Sequence, residues 1–323
     1  MPGEFDLIRR FFTRSSARAD VVLAVGDDAA LLDVPAGQLL AVSTDTLIGG
    51  VHFPRSTEPF DSGWKALAVN LSDLAAMGAE PAWATLAISL AEIDEQWLQA
   101  FSTGFFALAD QHRVALVGGD TSRGPLTITV TVHGFVPPGQ ALRRDGAGVG
   151  EIVAVTGSLG DAGRALQHVM HQAVIADAHD ADLLLARLNR PTPRVGVGLA
   201  LRGIASSAID ISDGLAQDLS HVLTRSGVGA QLQVAALPLS AALRRQCVNE
   251  RQAVELALCS GDDYELCVTI PPQHWSAAQS VATACGVDLT AIGLTTAEPG
   301  LQLKLHEESF VVAHGGYDHF GML

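Results

Sequence analysis

A segment rich in proline, glycine and charge, PPGQALRRDGAGVG at residues 137–150, interrupts the chain near its middle. The chain has 323 residues, which exceeds the roughly 250–300 residues at which one hydrophobic core stops growing. Apolar residues make up 48% of the sequence, enough to build two cores. We therefore predict two domains, 1–140 and 149–323, joined at this segment.

Both halves mix strand and helix patterns, without a regular alternation of the two. LTITVTVHGFV, at 126–136, alternates apolar and polar residues as a half-buried strand of an antiparallel sheet does. A helix is predicted from Asp61 to Met77, and further helices near 161–174 and 214–225. This order predicts an α+β fold in each domain.

The charge of the chain limits its partners. Its formal net charge of −15 would repel a phosphate backbone, so no nucleic-acid partner is expected. The N-terminus, MPGEFDLIRRFF, is charged too early for a signal peptide, and no run of about 18 apolar residues occurs. We expect a cytoplasmic protein with no membrane partner.

The positions of the aspartates are the main functional signal. Most of them adjoin Gly, Ser or Thr instead of Lys or Arg, which predicts turns that carry ligands. Several separated carboxylates suit several Mg²⁺ ions, because each ion usually takes one or two carboxylates together with water and phosphate oxygens. Ordinary turn chemistry is the alternative for any one of them. The aspartates are Asp27, Asp28, Asp45, Asp73, Asp120, Asp210, Asp213, Asp262 and Asp263.

Asp73 lies on a distinctive helix stripe. Ala66, Asn70, Asp73 and Met77 follow one another at the spacing of a single helix face. Polar groups among small apolar residues point toward the protein, where they need hydrogen-bond donors or a cation as partners. The stripe favours a cation beside Asp73.

The chain lacks the common phosphate-binding signatures. It contains no G-x-x-x-x-G-K-[ST] loop and no protein-kinase H-R-D or D-F-G motif, and no Ser or Cys is convincingly flanked by a base as an activated nucleophile. Direct phosphoryl transfer needs none of these when the acceptor is an ionised phosphate. The main obstacle is then electrostatic repulsion between the two phosphate groups. It costs about 4 kcal/mol for two unit charges about 4 Å apart at an effective dielectric near 20.

Eight motifs in fixed order resemble one enzyme family along nearly the whole chain. They are GDDAA, STDTLIGGVHF, NLSDLAAMGA, GGDTSRG, TGSLGDAG, DISDGL, SGDDYEL and GGYDHF. This set is similar to the thiamine-monophosphate kinases, within the aminoimidazole-ribonucleotide-synthetase-like superfamily. The resemblance implies ATP-dependent phosphorylation of thiamine monophosphate to thiamine diphosphate, the last step of thiamine diphosphate biosynthesis, by direct transfer of the γ-phosphate.

The resemblance also implies an architecture and a set of ligands. Members are homodimers whose N-terminal sheets pair across the subunits, with ATP and substrate bound between the N- and C-terminal domains. The motif positions imply that several Mg²⁺ ions are held by Asp27, Ser43, Thr44, Asp45, Asp73, Asp120, Asp210 and Asp213. Of these, Asp45, Asp120 and Asp213 are expected to be the most critical. Gly119, Asp120, Arg144 and Ser212 would contact the nucleotide.

The implied substrate contacts are His52, Asp262 and Tyr317. The family often has Glu at the second of these positions and Trp at the third, but an acid and an aromatic ring both suit a cationic substrate ring. Taken without the resemblance, His52 also fits a packed histidine, and Arg144 fits an ordinary linker arginine.

Two alternatives remain. Aminoimidazole-ribonucleotide synthetase shares ATP use and the dimer, and a non-catalytic nucleotide-binding dimer would keep the fold without turnover. Selenophosphate synthetase would need a reactive Cys or selenocysteine near the N-terminus, and the hydrogenase-maturation dehydratase would need a C-terminal cysteine. The chain has neither.

Overall fold

The structure is a computed structural model that describes residues 3–14, 18–306, 308–312 and 316. The chain divides into two compact units. The N-terminal unit comprises Met1–Leu74 and Ala79–Gly139, and the C-terminal unit comprises Ala75–Gly78 and Gln140–Leu323.

The N-terminal half begins with a short helix that runs into one π-helical turn, Ile8–Phe12. Its α-helices are α1 Glu4–Leu7, α2 Pro59–Ala76 and α3 Glu95–Gln111. Its strands are β1 Val21–Leu23, β2 Leu31–Leu32, β3 Leu39–Ile48, β4 Glu80–Leu90, β5 Ala115–Arg123 and β6 Thr127–Val136.

Four of these strands form one sheet in the order β3-β6-β4-β5, counted over the described residues. β6 is antiparallel to both of its neighbours, as its alternating sequence predicts, whereas β4 and β5 are parallel. Hydrogen bonds from β3 to α2 place this helix over one face of the sheet. On the other face of β3, Leu40, Val42 and Ile48 are 43%, 55% and 37% exposed.

The elements of the C-terminal half include two 3₁₀ turns, Val234–Ala236 and Pro272–His274. The helices are α4 Asp161–Val169, α5 Ala178–Asn189, α6 Val195–Ala200, α7 Leu215–Ser226, α8 Ala241–Gln246, α9 Glu250–Cys259 and α10 Trp275–Ala284. The strands are β7 Ile152–Thr156, β8 Ser207–Asp210, β9 Gly229–Gln233, β10 Leu266–Ile270, β11 Leu289–Thr296, β12 Gly300–Leu305 and β13 Glu308–Ser309.

A second sheet joins these strands in the order β13-β12-β9-β11-β7-β10-β8, as far as the described ranges extend. Only the β9–β12 pair among them is parallel. Apolar side chains of α7 and α9, such as Leu219 and Val254, are buried against those of β8 and β11, such as Ile209 and Ile292. This core fixes the end of β8, where Asp210 begins a predicted ligand-bearing loop.

Two sequence predictions differ in detail from the structure. The helix predicted near 161–174 ends at Val169, because His171 adopts a left-handed conformation with φ of 59° that an α-helix cannot continue. Residues 141–148, left to the linker by the predicted boundaries, are held on the C-terminal unit: Ala208 N–H donates to the Arg143 carbonyl, and Ser226 Oγ donates to that of Arg144.

Among the described residues, none of the helices combines the length and apolar composition that a membrane span requires.

Candidate active site

Strand β3 and helix α2 bring one group of predicted residues together in the N-terminal unit. Ser43 Oγ donates a hydrogen bond to Asp73 Oδ2. The Asp45 N–H donates to Asn70 Oδ1 at 3.0 Å, and Asn70 Nδ2 donates to the Ala66 carbonyl at 3.0 Å. Ser43 and Asp45 alternate with outward residues along β3, so both face the helix.

Asn70 is 1% exposed, and its backbone partners satisfy it without a cation. The helix stripe predicted from the sequence is therefore explained at this position by hydrogen bonds. Met77, the last residue of the stripe, is 37% exposed. The prediction that the stripe faces the protein interior is therefore wrong at this residue. Asn70 fixes the backbone of Asp45, a role that the motif assignment omitted.

The chemistry of this group suits a hard cation. Among the residues that the structure describes, no three or more His, Cys, Asp or Glu side chains form a group that could hold a metal ion. Mg²⁺ does not need such a group, since it is usually bound through one or two carboxylates with water and phosphate oxygens. Asp45 and Asp73, beside the Ser43 hydroxyl, supply oxygen donors of that kind.

Thr44 and Asp120 belong to the other face of the same sheet. Thr44 Oγ1 lies 2.9 Å from Thr131 Oγ1. Asp120 is paired across the sheet with Ala87, Ala87 with Thr129, and Thr129 with Thr46, so Asp120 is on the same face as Thr46 and Thr44. Two strands separate β3 from β5, which corresponds to about 14 Å at the usual strand spacing. The structure therefore does not bring Asp45 and Asp120 together within one chain.

Gly119, directly before Asp120, has a structural reason to be glycine. A Cβ placed on it would lie 1.8 Å from the carbonyl oxygen of Leu86 in the neighbouring strand, and its φ is +151°. Only a residue without a side chain lets β4 and β5 approach this closely.

His52 lies in the turn that ends β3. Its Nδ1 accepts the Ile48 N–H at 2.9 Å. A neutral imidazole that accepts through Nδ1 carries its proton on Nε2, so His52 presents a ring N–H donor. This contact accounts for the ring orientation and leaves the predicted substrate role open.

Asp27 lies in the exposed loop between β1 and β2, and its Oδ1 accepts the Asp28 N–H at 2.9 Å. This local bond to the next residue needs no cation. The predicted metal role of Asp27 stays a prediction.

In the C-terminal unit, residues Ser212–Gly214 form what we call the Asp213 turn. Asp218 Oδ2 accepts the N–H groups of Ser212, Asp213 and Gly214 at 3.0, 3.0 and 3.2 Å. Asp210, 4% exposed, ends the strand that leads into the turn. A single side chain from the first turn of α7 thus shapes the loop that carries the predicted residues Ser212 and Asp213.

Asp218 is itself perturbed by this position. Burial raises the pKa of its carboxyl to about 6, the three N–H donors act in the opposite direction, and the Asp213 charge raises it further. The sequence assignment missed Asp218, although an acid in the first turn of a predicted helix signals this kind of contact.

The predicted substrate residue Asp262 lies in a second loop, residues Gly261–Glu265, which we call the Asp262 turn. Its N–H donates to the Ser212 carbonyl at 2.9 Å, and the Tyr264 N–H donates to the Ile211 carbonyl at 2.8 Å. The Asp262 turn therefore lies directly against the Asp213 turn, and the substrate role of Asp262 stays a prediction.

Two non-glycine residues of the Asp262 turn are in the left-handed region. Asp262 has φ of 68° and Tyr264 has φ of 50°. Such conformations cost about 1–3 kcal/mol each and persist where the surroundings impose them. Tyr264 Oη also donates to Asp262 Oδ1 at 3.2 Å.

Within this turn, Asp263 is 1% exposed, and both of its carboxylate oxygens accept the Gly160 N–H at 3.0 Å. Burial raises the pKa of Asp263 well above its usual value, against the lowering effects of that N–H and of the Arg187 charge. The contact ties the TGSLG loop, at 156–160, to the Asp262 turn.

Arg144 and Tyr317 complete the predicted residues. Arg144 is exposed, and its carbonyl accepts Ser226 Oγ at 2.9 Å. Tyr317 lies outside the described residues. The preceding Gly316 is close to the Asp213 turn, since a Cβ on it would lie 2.8 Å from the Asp213 carbonyl oxygen.

Family models match both units of the chain. The N-terminal domain of the AIR synthase related proteins matches residues 26–136, and their C-terminal domain matches residues 148–306. These matches confirm the superfamily and its two-domain α+β fold.

Individual relatives are similar over nearly the full length. The thiamine-monophosphate kinase of Escherichia coli O157:H7 is 50% identical over 320 residues, which cover 98% of each chain. The crystal structure of thiamine-monophosphate kinase from Stenotrophomonas maltophilia K279a has a TM-score of 0.85 at 50% identity, covering 89% of this chain and 92% of that one.

A further solved structure, described as AaThiL complexed with AMPPCP and TMP, has a TM-score of 0.79 at 32% identity and covers 92% of each chain. The resemblance predicted from the eight motifs is confirmed. The chain belongs to the thiamine-monophosphate kinase family of the AIR synthase related proteins.

Proposed function

We propose that this chain is an ATP-dependent kinase that transfers the γ-phosphate of ATP directly to the phosphate of thiamine monophosphate, giving thiamine diphosphate. The observation that carries the proposal is full-length similarity, at 50% identity, to a protein named for this activity. A relative at 32% identity holds AMPPCP, an ATP analogue, together with TMP.

The residues of the site support phosphoryl transfer of this kind. A phosphate acceptor is ionised near neutral pH, so the protein needs to position it and to offset charge, without removing a proton. Asp45 and Asp120 lie within strands and Asp73 lies within a helix, whereas Asp210 ends a strand and Asp213 lies in a turn held by Asp218. Such backbone positions are defined, as positioning requires. In this proposal Gly119, Asp120, Arg144 and Ser212 contact the nucleotide, and His52, Asp262 and Tyr317 contact the substrate.

Mg²⁺ is the cofactor of the proposed reaction. The residues that would hold it are Asp27, Ser43, Thr44, Asp45, Asp73, Asp120, Asp210 and Asp213. When bound, Mg²⁺ supplies positive charge that offsets repulsion between the two phosphate groups. Because Thr44 and Asp45 occupy opposite faces of β3, the set implies more than one ion.

The proposed kinase is a homodimer formed through the N-terminal sheet. Leu40, Val42 and Ile48 expose an apolar face on β3 that a second copy would cover. Val42→Glu should therefore convert a dimer into a monomer in light-scattering measurements. Val174→Glu is the matched control, since Val174 is 77% exposed in the C-terminal unit. A variant at Val42 that stays dimeric would contradict this surface. The cytoplasmic location expected from the sequence stays a prediction.

The decisive experiment incubates purified protein with ATP, Mg²⁺ and thiamine monophosphate, and measures thiamine diphosphate by chromatography. A second arm offers the substrate of aminoimidazole-ribonucleotide synthetase and measures ADP release. Thiamine diphosphate in the first arm supports the proposal. ADP release only in the second arm would favour the synthetase, and nucleotide binding without turnover in either arm would favour a non-catalytic dimer.

A further inference from the structure

The last residue of the Asp262 turn, Glu265, carries a buried carboxylate. Glu265 is 0% exposed. Arg194 holds it through two bonds, Nε to Oε2 at 2.6 Å and Nη2 to Oε1 at 2.5 Å. Arg187 Nη2 donates to Oε1 at 2.7 Å, and Thr156 Oγ1 donates to Oε2 at 2.6 Å. Four donors from three separate elements therefore converge on one buried side chain.

Glycine keeps the space for this carboxylate. A Cβ on Gly157 would lie 2.2 Å from Glu265 Oε1, a distance that real Cβ atoms do not show. Thr156 Oγ1 also accepts the Leu266 N–H at 2.8 Å, which links the carboxylate to the strand that follows. The TGSLG loop, whose glycine spacing does not match a dinucleotide fingerprint, thus serves as the wall of a buried ion-pair network.

The backbone of Glu265 continues toward the proposed site. Its carbonyl accepts the Ile211 N–H at 2.8 Å, and the Tyr264 N–H donates back to the Ile211 carbonyl. Further along, the Asp262 N–H bonds to the Ser212 carbonyl. The five residues of the Asp262 turn therefore connect the ion-pair network to the Asp213 turn. Two of them have a left-handed backbone conformation that unconstrained chains rarely adopt.

We propose that the Glu265 carboxylate, with its two arginines, is a positioning group that holds the strained Asp262 turn in the geometry that receives substrate. Strain of this kind persists only when surrounding contacts impose it, and Glu265 is the buried anchor at the end of the turn. Two arginines on one carboxylate also mean that Glu265 keeps one ion pair when the other is removed. This inference rests on the proposed function, because Asp262 contacts substrate only in that proposal.

The test replaces one of the two arginines and compares this variant with the same replacement in a matched ion pair elsewhere in the unit. Arg194→Gln removes the two-bond partner of Glu265. Arg245→Gln is the control, because Arg245 also makes two bonds to a buried carboxylate of the same unit, that of Asp180, which has no part in either turn. Arg194→Lys keeps the charge and loses the two-bond geometry.

The first readout does not depend on catalysis. Amide hydrogen exchange is measured by mass spectrometry, without ligand, on peptides that contain the Asp262 turn. We expect exchange there to be at least about 10-fold faster in Arg194→Gln than in the wild type, and unchanged in Arg245→Gln. Equal exchange in the two variants would overturn the positioning role, whatever reaction the protein catalyses.

The second readout is steady-state kinetics with thiamine monophosphate. Arg194→Gln should raise KM for this substrate by about 10-fold or more, with Arg194→Lys between it and the wild type, because a misplaced contact weakens binding and alignment. Arg245→Gln should keep the wild-type KM. If the wild type makes no thiamine diphosphate, the proposed function fails, while the exchange result still decides the positioning role.

If Arg194→Gln does not fold, a second variant tests the positioning role. Arg187→Gln removes one bond to Glu265 and a longer one, of 3.4 Å, to the Asp263 carbonyl, and keeps both bonds from Arg194. It should change exchange and KM in the same direction by a smaller factor. Wild-type values of both in a folded Arg187→Gln protein would contradict the proposal.

Discussion

Replacing Gly119 by alanine tests how the strand that carries Asp120 is positioned. The added Cβ would meet the Leu86 carbonyl oxygen at 1.8 Å, whereas ordinary contacts begin at 3.4 Å, so the strands must separate by about 1.6 Å. Overpacking of this kind costs about 1–3 kcal/mol, and a residue held at an unfavourable positive φ costs about 1–3 kcal/mol more. We therefore expect Gly119→Ala to lower the free energy of unfolding by about 2–6 kcal/mol, out of a typical 5–15 kcal/mol.

The neighbouring glycine provides the control. A Cβ on Gly118 would meet only Thr85 Cγ2, at 3.8 Å, which is an ordinary contact. Gly118→Ala should therefore unfold close to the wild-type midpoint. Both variants add the same methyl group to the same strand, so a difference between them isolates the close approach to β4.

Urea unfolding followed by tryptophan fluorescence is a suitable assay, because Trp64, Trp83 and Trp97 belong to the N-terminal unit and only Trp275 to the other. With a urea dependence of about 2 kcal/mol per molar, the midpoint should fall by about 1 M or more. Displacing Asp120 by more than 1 Å should also reduce kcat/KM by about 100-fold. Equal midpoints for the two variants would refute the argument from strand spacing.

Other predictions concern charge. Asp45→Asn keeps the side-chain shape and removes a metal ligand, so the rate of thiamine diphosphate formation should fall by about 100-fold or more at an unchanged urea midpoint; near-normal turnover would reject its role. EDTA should abolish that rate and added Mg²⁺ should restore it, whereas turnover in EDTA would remove the metal requirement. Hydrogen bonds from Arg245 lower the pKa of Asp180 from 3.8 to about 2, so this pair stabilises the fold above pH 3.8 and loses that effect as the pH falls toward 2. The difference in unfolding midpoint between the wild type and Asp180→Asn should be constant above about pH 5, shrink as the pH falls through 2 and vanish near pH 1, and an undiminished difference at pH 1 would contradict the assignment.

The local patterns of the sequence predicted the main elements well. The helix expected from Asp61 to Met77 is Pro59–Ala76 in the structure, and the alternating segment 126–136 is a central antiparallel strand. These elements follow from residue spacing and from glycine at their ends, which are properties of short segments. The ordered motifs then identified the family, because they place such segments in a specific succession.

Contacts between distant segments could not be predicted in the same way. Glu265 and Arg194 are 71 residues apart, and nothing near either of them indicates the other. The face on which Asp120 lies depends on the pairing of β5 with β4, which shifts register between Ala84 and Thr85. Because a one-residue slip moves every side chain to the opposite face, the sequence alone could not place Asp120 relative to Asp45.

In two of the glycine–aspartate pairs that the sequence predicted to be ligand-bearing turns, the glycine has a packing role. A Cβ on Gly261 would lie 2.2 Å from the Ser212 carbonyl oxygen, and Gly119 meets the Leu86 carbonyl in the same manner. Both glycines allow a neighbouring backbone to come close, while the adjacent Asp120 and Asp262 carry the predicted chemistry. Close packing of this kind makes the backbone rigid where the acid must be aligned. The motifs are therefore specific because a packing requirement and a chemical requirement fall on adjacent residues, and replacing either residue should impair the site for a different physical reason.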